Sequence, residues 1–301
     1  MCTDPDTHPT PLLDLSSLLP DPDQGRLLAK AEFANPTGSI KDRIADALLK
    51  GARDEGRLDP GGPVVVPSSG NTAAALAAAC LSAGHTCTVV TNGKCSEEKK
   101  AMARFYGARV VVVEGSYQDA AQEMAARNGA CLIDQYDHPA NARSYGGFAR
   151  EILDQAPQIT HFVAGASTGG TISGTGRELK RLRDEAVEVV LADPVGSALS
   201  DYVESGELGD YTAFQVEGVG KGSVSGNLDR SLIDQVVEVS DDQAFAAVRA
   251  VAQKTRWCIG GSSGLNVHAA LQLSAPGRTV VTVLPDHGLK YVTKFEELGV
   301  A

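Results

Sequence analysis

His161-Phe-Val-Ala-Gly-Ala-Ser-Thr-Gly-Gly-Thr171 reads as a short buried strand that runs into a glycine- and hydroxyl-rich turn and then into a helix over 172–184. Free backbone N–H groups at such a turn, added to the positive end of the helix, suit a dianionic phosphate, and the Ser167, Thr168 and Thr171 hydroxyls add donors. An ordinary tight turn between strand and helix shares the pattern. It is not a nucleotide-binding Lys loop, because no Gly-Lys-Ser/Thr follows, and Gly174-Thr-Gly176 lies too deep in the helix to be a dinucleotide fingerprint.

Working outward, short β-branched runs at 64–66, 87–91, 109–113, 131–133, 161–163, 187–191, 235–239 and 279–284 read as buried strands. Helical stretches at 44–55, 72–82, 96–106, 117–128, 172–184 and 242–255 separate most of them. Alternating segments of this size predict an α/β fold with parallel sheets covered by helices on both faces. The stretch 138–143, with Pro139 and Asn141, is the candidate crossing between two sheets. Ligands in such folds sit beyond the carboxyl ends of strands, against helix starts. Two further turns, Pro67-Ser-Ser-Gly-Asn-Thr72 and Gly260-Gly-Ser-Ser-Gly264, read as strand-to-helix junctions of that kind. In the first, Ser69, Thr72 and the exposed N–H groups could hold a carboxylate, while Asn71 could instead cap the helix.

Asn35-Pro-Thr-Gly-Ser-Ile-Lys41-Asp-Arg43 puts a lysine at a helix start. A lone lysine is most often solvated, but a helix N-terminus disfavours a cation and eases its deprotonation, as Schiff-base chemistry requires.

Composition narrows the function. The 301 residues hold 27 Lys+Arg against 38 Asp+Glu, a formal net charge of −11, which repels nucleic acid and anionic membranes. Six scattered cysteines without Cys-x-x-Cys fit a reduced, cytoplasmic setting and no metal site. The opening Met1-Cys-Thr-Asp-Pro-Asp-Thr-His8 has no basic or apolar targeting pattern, and no stretch is long and apolar enough to span a bilayer.

Taken in order, Asn-Pro-x-x-Ser-x-Lys-Asp-Arg, Ser-Gly-Asn-Thr, Ser-Thr-Gly-Gly-Thr and Gly-x-Ser-Ser-Gly resemble the cysteine synthase/cystathionine β-synthase family of fold-type II, pyridoxal-phosphate-dependent enzymes. The likeness includes Asp134-Gln135, Pro139-Ala-Asn141, Glu217-Gly-Val-Gly220 and Gly226-Asn-Leu-Asp229. It implies two parallel-sheet α/β domains, as in tryptophan synthase β chains, with the cofactor in the cleft between them. Residues 42–141 would form a smaller mobile domain, and 11–41 plus 142–301 the larger one that binds the cofactor phosphate. By this resemblance Lys41 bonds pyridoxal 5'-phosphate covalently and moves the substrate Cα proton. Ser167, Thr168, Gly169, Gly170 and Thr171 cradle the phosphate, Asn71 faces the phenolic oxygen, and Ser262 faces the pyridine nitrogen. Ser68, Ser69, Thr72 and Gln135 receive the substrate carboxylate.

A neutral hydroxyl at the ring nitrogen weakens the electron sink and favours β-elimination to an α-aminoacrylate followed by β-replacement, on serine or an O-acetylserine-type substrate. Small amino-acid substrates and a homodimer are implied. Three features depart from the family pattern. Ser167 stands where Gly is common, which also resembles the siderophore-type amino-carboxyethyl-glutamate synthases that use an amine nucleophile. The loop Gly220-Lys-Gly-Ser-Val-Ser225 lacks the usual aromatic and proline, which makes Lys221 a candidate for an anionic second substrate or leaving group. Pro285-Asp-His-Gly-Leu-Lys-Tyr291 replaces Pro-Asp-x-Gly-Glu-Arg-Tyr. A serine/threonine dehydratase is the rival on the same fold, set back by Thr72 in place of its His and by Ser167-Thr168 among its glycines. A non-catalytic scaffold would have no use for Lys41. No haem-binding extension or regulatory tandem is expected.

Overall fold

The computed structural model describes residues 9–21, 23–93 and 95–300; the N-terminal reading and Cys2 lie outside the described residues. Two α/β domains are each built on their own sheet. In chain order come β1 (Leu12–Asp14), β2 (Arg26–Ala31), α1 (Asp42–Asp54), β3 (Pro63–Pro67), α2 (Asn71–Ala83), β4 (Thr86–Asn92) and α3 (Glu97–Phe105). Next are β5 (Arg109–Val113), α4 (Tyr117–Asn128), β6 (Cys131–Leu132), α5 (Ala140–Gln155), β7 (His161–Gly165), α6 (Gly170–Leu182) and β8 (Glu188–Pro194). The chain continues through α7 (Leu199–Ser205), β9 (Gln235–Val239), α8 (Asp241–Thr255), α9 (Gly261–Leu273), β10 (Thr279–Leu284) and α10 (Val292–Glu297).

The smaller sheet is wholly parallel, in the order β5-β4-β3-β6. The larger has the order β1-β2-β10-β7-β8-β9, parallel except where β1 runs against β2. Its centre is the driest part of the molecule: every residue of Thr-Val-Val-Thr-Val-Leu in β10 is buried, as a strand covered on both faces requires. Asn266 of α9 ties this centre together, accepting from Gly165 N at 2.7 Å and donating to Val283 O at 2.9 Å.

The expected strands and helices are present, with three differences. β5 is an edge strand with no fully buried residue, not a buried one, because only β4 pairs with it. Gly260 is not a strand-to-helix junction: α8 ends at Thr255, and only the single bridge Ile259↔His287 precedes α9. The crossing between sheets leaves β6 and is carried by α5, so 140–143 is its first turn and Pro139 its N-cap.

One buried charge cluster moors the start of α1. Arg43 pairs with Glu32 at 2.6 Å and with Glu151 at 2.7 Å, and Lys30, fully buried in β2, pairs with Glu151 at 2.9 Å. Lys30 also donates to Thr10 O and Gln155, so each buried cation is matched and hydrogen-bonded, as burial demands. Lys41 lies two residues before Arg43, on a backbone fixed by this cluster.

Candidate active site

A cavity of about 450 Å³ opens between the two sheets, lined by Lys41, 68–72, Gln135, 164–169, Thr171, 216–220 and Ser262, and closed on another side by Lys99, Asp286, Tyr291 and Lys294. Three of the helix starts that border it begin on glycine. The N-caps of α2, α6 and α9 are Gly70, Gly169 and Gly260, and none of the three has a side-chain cap. Uncapped N–H groups with the helix dipole behind them form a ready site for anions. The alternative role of Asn71 as a cap is therefore excluded; it is the first residue of α2, and its side chain turns elsewhere.

The turn between β7 and α6 has no spare room. Gly169 has φ +79°, and a Cβ there would lie 2.5 Å from Leu228 Cα; one on Gly170 would lie 2.0 Å from Asn141 Oδ1. Both glycines are required on steric grounds alone. Ser225 Oγ donates to Ser167 O at 3.2 Å, and Gly220 N to Ala166 O at 2.7 Å, so the 216–225 loop packs onto this turn.

Lys41 is the N-cap residue of α1; its backbone N donates to Ser39 Oγ at 3.3 Å, while its side chain makes no hydrogen bond or ion pair among the described residues. Burial lowers its pKa to about 8, and the Asp286 charge opposes the fall. Desolvation is the cause of the fall. Asp286 is itself buried and accepts from Asn71 Nδ2 at 2.6 Å and from the Tyr291 hydroxyl at 2.5 Å. Asn71 Oδ1 takes Lys290 Nζ at 2.9 Å. The family-variant segment 285–291 thereby supplies three side chains, Asp286, Lys290 and Tyr291, to the neighbourhood of Asn71.

On the facing side, Thr72 Oγ1 donates to Gln135 Oε1 at 2.6 Å, so its proton is committed while the Gln135 amide stays available. Ser68 Oγ accepts from Gly70 N at 3.2 Å. Ser262, in the first turn of α9, is 5% exposed and faces the cavity.

The structure therefore brings Lys41, Ser68, Ser69, Asn71, Thr72, Gln135, Ser167, Thr168, Gly169, Thr171 and Ser262 to one cavity. Gly170 stands just behind the wall. Lys221 is also outside the lining: its ammonium sits 4.0 Å over the Tyr136 ring and 3.3 Å from Ser225 Oγ. Sequence reading missed the ion pairs on the wall, where Glu217 meets Lys99 at 2.5 Å and Lys294 at 3.0 Å. Burial works against the Glu217 charge, yet the two lysines hold its pKa below the usual carboxylate value. Only Glu217 carried a signal, through the motif at 217–220. Among the described residues no side-chain cluster could hold a metal, and no helix is long and apolar enough to cross a membrane.

Comparison with known proteins agrees with this geometry. The family described as pyridoxal-phosphate dependent enzymes matches residues 3–286. The chain is 33% identical to a cysteine synthase of Staphylococcus aureus, over 94% of this chain and 93% of the relative. It is 34% identical to an O-acetylserine dependent cystathionine β-synthase of Bacillus subtilis, over 95% and 94%. Against a cystathionine β-synthase of Apis mellifera identity is 36% over 89% of this chain, which spans only 56% of that relative. Among solved structures, an O-ureido-L-serine synthase superposes with TM-score 0.89 at 31% identity, covering 97% of this chain and 93% of that one.

Proposed function

This chain belongs to the pyridoxal-phosphate dependent enzyme family, and from that premise we propose that it performs β-replacement on an O-activated serine of the O-acetylserine kind. The observation that carries the reading is the Lys41 amine, with its pKa lowered to about 8, on the wall of a cavity that also holds an uncapped, side-chain-free helix start. Those residues fit the cofactor: a glycine turn too tight for any Cβ leaves N–H groups for the phosphate, and the lysine is easily deprotonated. When bound, pyridoxal phosphate supplies the electron sink that lets the substrate's α-proton and β-leaving group depart.

The chain's own residues divide the remaining work. Ser167, Thr168, Gly169, Gly170 and Thr171 hold the phosphate. Lys41 would hold the cofactor through its amine, and the same amine is placed to take the substrate's Cα proton. Asn71 serves the phenolic oxygen, with Asp286 and Lys290 fixing its amide. Ser68, Ser69, Thr72 and Gln135 receive the carboxylate, and Gln135 is the donor because the Thr72 proton is spent on it. Ser262 offers the ring nitrogen a neutral hydroxyl rather than a carboxylate, which favours elimination over long-lived carbanions.

Of the relatives above, the Bacillus subtilis enzyme is named as O-acetylserine dependent and the solved structure as an O-ureido-L-serine synthase; the amine-nucleophile and dehydratase readings draw no support from these names. In this reading residues 42–141 move as the smaller unit over 11–41 plus 142–301, and closure keeps water from the reacting carbon. The protein works as a cytoplasmic homodimer on small amino acids.

A visible absorption spectrum tests the assignment. The purified protein with pyridoxal phosphate is expected to be yellow, to shift on adding O-acetylserine, and to lose the covalent chromophore in K41A. Capture of the cofactor by the cofactor-free chain should quicken as pH rises and level off above about 8, since only the neutral amine reacts. A chain that never takes up the cofactor refutes the reading.

A further inference from the structure

Asn141 touches neither solvent nor the cavity, yet it joins the two halves of the site. It is fully buried in the first turn of α5, the helix that carries the chain from the smaller sheet to the larger. Its Nδ2 donates to Gln135 O at 2.6 Å on one side and to Thr168 Oγ1 at 3.2 Å on the other. Gly170 N also approaches Thr168 Oγ1, at 3.4 Å. Both acceptor sites of that hydroxyl are thus directed at donors, and no described residue accepts its proton. A hydroxyl has one proton and two lone pairs. With the lone pairs occupied, the proton is turned toward the cavity that Thr168 lines.

The other end of the amide strengthens the case. Asn141 Oδ1 is buried without a hydrogen-bond donor. It lies where a Cβ on Gly170 would come within 2.0 Å of it. A residue chosen only to fill this space would not leave a buried acceptor unsatisfied, because that carries a desolvation penalty. The penalty is tolerated because the opposite orientation would put the carbonyl against Gln135 O and leave Thr168 free to point its proton back at Asn141.

We propose that Asn141 is a positioning residue that sets the Thr168 hydroxyl as a donor to the cofactor phosphate and ties that hydroxyl to the Gln135 backbone on the substrate side. The proposal rests on the cofactor reading above and assigns Asn141 no contact with any ligand.

A double-mutant cycle on cofactor affinity tests it, read from the absorbance of titrated pyridoxal phosphate rather than from turnover. N141A is expected to weaken binding about 10-fold in the parent chain, the scale of one charge-assisted hydrogen bond. In a T168V background, where there is no hydroxyl to orient, N141A should change binding by less than about 2-fold, the limit for sites that act only through each other. T168S, which keeps the hydroxyl, should retain the full 10-fold sensitivity. Equal losses in the parent and T168V backgrounds, or parent-like binding by N141A, overturn the proposal. N141S, smaller in its disturbance of α5, carries the same cycle if circular dichroism shows N141A misfolded. A parent chain that binds no cofactor sinks the functional reading instead, and the two failures are thereby told apart.

Discussion

Two sets of helix starts in this molecule contrast, beside α1, α5, α7 and α10, which start on Lys41, Pro139, Ala198 and Tyr291 with no side-chain cap. Away from the cavity, α3, α4 and α8 begin on Ser96, Ser116 and Ser240, whose hydroxyls accept from the backbone of the first turn, and α8 has a complete capping box with Gln243. Facing the cavity, α2, α6 and α9 begin on glycine with no side-chain cap. A serine cap contributes about 1 kcal/mol relative to alanine. Glycine in place of that cap at three helices that converge on one cavity teaches where N–H groups stand open to a ligand.

The largest break in this contrast is G169A. The new Cβ would press on the Leu228 backbone in a left-handed conformation, which costs about 3 kcal/mol, so cofactor affinity should fall on the order of 100-fold by absorbance titration. The next sharpens it. Gly70 has φ −128° and open space for a Cβ, so G70S should fit and cap α2 as Ser96 caps α3. With about 1 kcal/mol of capping to displace, the KM for O-acetylserine should rise about 5-fold while thermal stability increases. Unchanged KM would show that the α2 start does not receive the carboxylate. K221A should be milder: its ammonium is held behind Tyr136, and a change of about 3-fold in the KM of one substrate is the most that a partly exposed cation–π contact transmits. No change for either substrate removes Lys221 from the site. S240A is the control from the outer group, expected to lower the melting temperature by about 3 °C through loss of its cap and to leave cofactor affinity untouched.

Much of this was legible in sequence because local chemistry carried it. Glycines that tolerate no side chain, hydroxyls at strand ends and a lysine at a helix start are short-range signals, and they placed the cavity's principal residues. β2 escaped because Lys30 interrupts its apolar run, and only distant Glu151 and Gln155 make that lysine a buried residue. α5 was hidden behind Pro139, and its Gly146-Gly147 pair weakens a helical reading. α9 began inside a stretch that looked like a turn. The pairs Lys99–Glu217 and Glu217–Lys294 join segments far apart in sequence, so no spacing rule reaches them. The same is true of Asn71 and Asp286, 215 positions apart.

The strand orders also set a timetable for synthesis. Strands β3 to β6, the whole smaller sheet, come from one continuous stretch and can pair as soon as residue 132 has been made. In the larger sheet β10 lies between β2 and β7, so residues 26–31 wait for 279–284, the last strand among the described residues. A growing polypeptide therefore carries an early strand without its central neighbour until residues 279–284 have been made, exposed to wrong pairing for that time. Asp286 arrives only two residues after that strand, so the charge that opposes the desolvation of Lys41 is made long after the lysine itself.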